Sequence, residues 1–180
     1  MPYSYLNDYK LTDVTPVTEP VTVSEAKLYC RVTNSIEDGL FAELITQSRE
    51  AIEKATNLSL IPKTAIVCFN NFSGDFEPPF GPIDKTTFKL YDDNQNGMEI
   101  TSVNYRLIGI DFPKVSYPNY VNLRATFSTG YAILPKELKI AMLDQINYGY
   151  ENRGMDVNDM GICEKTWRVC QRWTRTSPIL

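Results

Sequence analysis

The sequence predicts an α+β protein: three main helices packed around a small antiparallel sheet or hairpin pair, with an extended arm at each end. Two stretches of helical periodicity lie near the ends of the chain. A middle rich in β-branched and aromatic residues, broken by prolines and glycines, separates them. The composition agrees with a globular chain of this class: 180 residues, 43% hydrophobic and 22% charged, with a formal net charge of -4. A chain of this length buries enough surface to build a core without disulfides or metal.

Residues 1–20 mix Tyr, Thr and Pro without a period, and Pro16 and Pro20 discourage a helix, so this segment reads as an arm. Thr22-Val23-Ser24-Glu25 has the form of a capping box, the hydroxyl accepting from the Glu25 amide while the carboxylate reaches back. It starts a short helix to about Arg31, with Val21 and Ala26 as the accompanying apolar staple. A second helix starts at Ser35, with Glu37 and Asp38 in the first turn where the dipole favours acid. Ile36, Leu40, Phe41, Leu44, Ile45, Ile52 and Ala55 form its apolar face, and it ends near Asn57.

Thr64–Phe72 reads as a strand and Ser73–Asp84, with three prolines and two glycines, as a loop. Thr86–Tyr91 and Met98–Tyr105 flank Asp92-Asp93-Asn94-Gln95-Asn96-Gly97, a hairpin with a polar tip; Tyr120–Phe127 is a further strand. Leu134-Pro135 opens a third helix with Leu138, Ala141, Met142, Ile146 and Tyr150 on one stripe and Gly154 past its end. The domain organisation expected is an arm over 1–20, a main domain over 21–153 with a β-rich insertion at about 64–127, and a docking segment over 154–180.

The chain has no histidine, which removes the commonest general base and metal ligand and excludes Ser-His-Asp, Cys-His and His-bound zinc sites. Cys30, Cys68, Cys163 and Cys170 are too scattered for a zinc knuckle and read as buried thiols. The string at 92–97 matches the first half of a calcium loop, but the position of the bidentate Glu is Val103. The acidic pairs Glu37/Asp38 and Asp92/Asp93 suit a helix start and a turn. No phosphate-binding glycine loop is present. The expectation is therefore no catalytic site, no metal and no cofactor. No stretch is long and apolar enough to span a bilayer, and the start lacks the pattern of a secretory signal, so a cytoplasmic product without a membrane partner is expected.

The final segment places Trp167, Cys170 and Trp173 at three-residue spacing, interleaved with Lys165, Arg168, Arg172 and Arg175. Two readings stay open: a helix packed on its own domain with solvated charges, or a segment that docks on another protein, because Trp and Arg dominate binding hot spots.

Val23-Ser24-Glu25-Ala26-Lys27-Leu28-Tyr29-Cys30-Arg31-Val32, the run Asp38 to Leu60-Ile61-Pro62, and Thr126-Phe127, Gly130-Tyr131, Leu134-Pro135, Leu138-Lys139 and Tyr150-Glu151-Asn152-Arg153 follow one another in an order that resembles the head-to-tail connector (adaptor) proteins of tailed bacteriophages. The resemblance spans about 20–153 and is poor over 73–120. It implies a structural virion protein of the neck, not an enzyme, made in the host cytoplasm. Such a protein forms a ring, commonly of twelve subunits, beneath the portal protein. It extends the channel for double-stranded DNA, which passes without sequence-specific binding, and docks the next neck or tail protein. Another neck component, such as a stopper or tail-completion protein, is the alternative, and a carboxylate-dependent enzyme a more distant one. On this reading Trp167, Arg168, Arg172, Trp173 and Arg175 are the expected portal-binding residues. Glu37, Asp38, Glu43, Glu50 and Glu53 are the expected ring or lumen surface, where negative charge would let the duplex slide.

Overall fold

The computed structural model describes residues 6–153 and 161–174, without the side chains of residues 6–7, 71–73 and 119–121. The chain divides into two compact units, one of strands over 6–17 and 61–131 and one of helices over 18–60 and 132–174. The α+β class is as the sequence predicts, with a larger sheet than a hairpin insertion would supply.

The β unit holds β1 (Leu6–Asp13), β2 (Lys63–Phe76), β3 (Ile83–Asp92), β4 (Met98–Ile100), β5 (Arg106–Ile108) and β6 (Lys114–Thr129), in the order β1-β2-β6-β3-β4 with β5 also on β6. Every pairing is antiparallel. The two-residue period explains the core. Ala65, Val67 and Phe69 of β2 lie opposite Phe127, Ala125 and Leu123 of β6, and all six are buried, while Thr64, Ile66 and Cys68 between them are not. Leu90 of β3 adds a third layer against Ala125, and Phe88 stacks on Phe127 at 5.6 Å. β1 was expected to be part of an arm. Its sequence, LNDYKLTD, has too few β-branched residues to read as a strand. The open edge of β2 recruits it, aided by the Lys63–Asp13 pair at 3.3 Å and the Val14 N–H donated to the Pro62 carbonyl.

The helical unit contains α1 (Val23–Tyr29), α2 (Asp38–Thr56), α3 (Lys136–Glu151) and α4 (Glu164–Trp173). The capping box of α1 forms as the sequence predicts, and Val21 and Ala26 are both buried. α2 starts three residues later than expected, which leaves Ile36 outside the helix and 91% exposed instead of on the apolar face. It ends in a left-handed Asn57, a residue whose short polar side chain tolerates this conformation. Phe41, Leu44, Ile45 and Ile52 of α2 meet a core completed by Leu138, Ala141, Met142 and Ile146 of α3 and Cys170 of α4. At Gly149 the helices approach so closely that a Cβ would lie 2.9 Å from Leu44 Cδ2. Gly154 lies outside the described residues.

One backbone position in the β unit is intolerant. Gly130 has φ +109°, and a Cβ there would stand 2.0 Å from the Ile61 carbonyl oxygen. Its N–H donates to the Pro82 carbonyl, which Thr129 Oγ1 also reaches at 2.9 Å. Gly130→Ala should cost more than about 3 kcal/mol, through backbone strain plus a clash that no side-chain movement relieves. Thermal unfolding of the variant beside the parent measures this.

Candidate docking surface of the helical unit

The residues singled out in the sequence divide sharply by environment. Among the acidic set, Glu43 and Glu50 are exposed on α2. Glu53 is not a surface residue: it is 9% exposed, because its carboxylate accepts from Arg49 Nη1 at 2.9 Å and from the Leu60 N–H at 2.8 Å. Arg49, itself 2% exposed, also donates through Nε to both oxygens of Glu19 at 3.1 and 2.9 Å. Asp38 pairs with Lys27 at 2.5 Å. Glu37 accepts from the Tyr150 hydroxyl and from Arg153 Nη1, each at 2.7 Å, while Tyr150 stacks on Phe41 and Arg153 lies over the Tyr150 ring. The Tyr150 hydroxyl first, and then Arg153, hold the Glu37 carboxyl below its ordinary range. Three of the five acids thus fasten segments of the unit together; Glu50 lies 3.8 Å from Arg49 Nη2 with its side chain mostly exposed, and Glu43 is exposed as well.

The basic and aromatic set is ordered by α4. Thr166 and Cys170 face inward, and the Thr166 hydroxyl donates to the Ala141 carbonyl at 2.9 Å. Trp173 donates its indole N–H to Glu137 at 2.8 Å, and Arg172 pairs with the same carboxylate. Arg168 pairs along the helix with Glu164 and its side chain is 72% exposed. Trp167 is 45% exposed. The helix is therefore packed on its own unit, as the first of the two sequence readings has it, and still presents Trp167 and Arg168 outward. Arg175 lies outside the described residues. Burial pushes the Cys170 thiol up to about 11, so it is an inert core group.

α1 adds a feature the sequence reading passed over. Leu28 is 80% exposed and Tyr29 43%, and Ile140 of α3 is 54% exposed. Leu28 lies inside a short helix whose only buried residue is Ala26, a pattern that could have marked it as an unburied apolar group. α1 is tied to α3 by Glu25–Lys139 at 2.6 Å and by the Tyr29 hydroxyl donating to Asp144 at 2.8 Å. The Asp144 acceptor, followed by burial, pushes the Tyr29 hydroxyl up to about 12. Hydrogen bonding to Lys139 first, and then the Thr22 N–H, draw the Glu25 carboxyl from 4.5 to about 2.

Among the described residues no group of three or more His, Cys, Asp or Glu is placed to hold a metal ion, and no helix is long and apolar enough to cross a membrane.

The sequence model of the family described as "Phage gp6-like head-tail connector protein" matches residues 20–105, so the resemblance to head-to-tail connectors read from the residues holds. The fold recurs in solved structures of a gene transfer agent particle. A chain in the "Neck of empty GTA particle computed with C6 symmetry" aligns with a TM-score of 0.69 at 19% identity, over 93% of this chain and 96% of that one. A chain of the "Virion of native gene transfer agent (GTA) particle" gives 0.66 at 20% identity, over 92% and 95%. One in the "Neck of native GTA particle computed with C12 symmetry" gives 0.66 at 19%, over 93% and 96%. At these identities the likeness is one of fold. No curated protein matches the chain.

Two predictions follow from the ion pairs. Arg49→Ala leaves two carboxylates in a poorly hydrated site without their cation and should cost about 3–5 kcal/mol in urea unfolding. The depressed pKa of Glu25 means that its contribution to stability is full above pH 4.5 and is lost as pH falls from 4.5 toward about 2. Glu25→Gln should flatten the stability profile across that window, as read by thermal melts at stepped pH.

Proposed function

We propose that this chain is a structural neck protein of a tailed phage or phage-like particle: an adaptor, and not an enzyme. In this reading it forms a ring, of twelve subunits, beneath the portal protein, extends the exit channel for double-stranded DNA and offers a surface to the next neck or tail protein. The observation that carries the reading is the match of nearly the whole chain to chains of a particle neck, joined to the connector-family match over residues 20–105. The net charge of -4 agrees with a channel wall that repels phosphates, and Glu43 and Glu50 are exposed acids of α2 that contribute to it in this reading.

The portal-facing surface proposed is the outer side of α4, where Trp167 supplies apolar area and Arg168 and Arg172 charge; Arg175 belongs to the proposal from the sequence alone. Trp173 holds the helix in place through Glu137. Removing residues 162–180 outright would delete the core groups Thr166 and Cys170, so point changes on exposed side chains are the cleaner probe.

Light scattering of the protein alone, and mixed with the portal ring encoded beside it, tests the reading. A stoichiometric ring-on-ring mass is expected, and a chain that ignores portal but binds tail protein would favour the stopper alternative instead. Trp167→Ala combined with Arg168→Gln should weaken portal binding about tenfold or more, with only a small fall in melting temperature, because Trp167 is half exposed and the Arg168 pair lies at the surface.

A further inference from the structure

A pocket of about 230 Å³ opens beside the β3–β4 hairpin, lined in part by Asp92, Glu99, Gln95, Met98, Ile100 and Tyr117. Asp92 is the unusual member. The inward face of β3 runs Phe88, Leu90, Asp92, so a carboxylate occupies the next place in an apolar row, and it is only 5% exposed. Its Oδ1 accepts from the Asn94 N–H at 2.9 Å. Its Oδ2 accepts from no described residue and no described cation pairs with it, and that oxygen is not among the fully buried polar atoms: it opens into the pocket, where a cationic group can reach a carboxylate otherwise shielded from water.

The remaining lining states what that cation looks like. Glu99 brings a second negative charge at the exposed side of the pocket, where Lys89 neutralises it only in part at 3.3 Å with both side chains about half exposed. Met98, Ile100 and the Tyr117 ring supply apolar surface for a chain of methylenes. A wall that joins apolar side chains to a nearly buried carboxylate matches a long side chain that carries a positive head on an alkyl stem. A bare metal ion would find one buried carboxylate and no group of three acidic ligands among the described residues.

We propose that this pocket receives an arginine or lysine side chain from a protein partner, with Asp92 accepting from its cationic head. The inference stands apart from the portal-docking reading, since it concerns the β unit and its test needs only this chain. Either can fail without the other.

Saturation-transfer NMR on Nα-acetyl-arginine methylamide in the presence of the full chain tests it. Transfer to the arginine methylenes is expected, with none to the uncharged norleucine analogue. Asp92→Asn keeps an acceptor for the Asn94 N–H and should preserve the turn. It should weaken the probe about tenfold or more, the scale of one charge-assisted hydrogen bond. Its melting temperature without probe should stay at the parent's, because the Asn94 N–H keeps an acceptor and the charge removed was open to the pocket. Equal transfer to the norleucine analogue, unchanged affinity in Asp92→Asn, a lowered melting temperature in that variant, or displacement of the probe by stoichiometric calcium would each overturn the proposal.

Discussion

The helical unit depends on Arg49. A guanidinium that is 2% exposed is tolerable only when its donors are met by charge, and here they meet Glu19 from the segment before α1 and Glu53 one turn along α2. Glu53 in turn takes the Leu60 N–H, so the chain's exit from α2 is bound to the same cluster. One buried cation therefore ties together the segment before α1, α2 and the chain's exit from α2, on the same helix whose buried face carries Phe41, Leu44 and Ile52.

The β unit obeys a different constraint, register. Buried pairs such as Ala65 with Phe127 and Val67 with Ala125 hold only if β2 and β6 are aligned as they are, because a slip by one residue would turn Thr64 and Ile66 inward. Gly130 pins that alignment at the end of β6, where the backbone lies against the Ile61 carbonyl. The longest strands are thus joined at a point where no side chain fits.

In the proposed neck role, these two constraints would hold each unit in a single arrangement. What remains outward, Trp167 and Arg168 on α4 and the pocket around Asp92, is displayed on helices and strands instead of on long loops, which keeps the entropy lost on docking low.

Several features were legible in the sequence because they are local. The capping box at Thr22 and Glu25, the left-handed end near Asn57, the polar hairpin tip at 92–97 and the stripe of α3 need only neighbours within a turn or two. The absence of histidine and the order of connector-like strings also stand in the sequence itself. What it could not show depends on partners far along the chain. β1 is a strand only because β2 has an open edge, and Glu53 is internal only because Leu60 and Arg49 fold back to it. Trp173 is held by Glu137, 36 residues away. Asp92 looked like an ordinary turn residue until the sheet placed it at the end of an apolar row. Helix and turn grammar is written in short-range sterics and hydrogen bonds, whereas burial and charge pairing are set by which distant groups arrive, and those the tertiary structure alone decided.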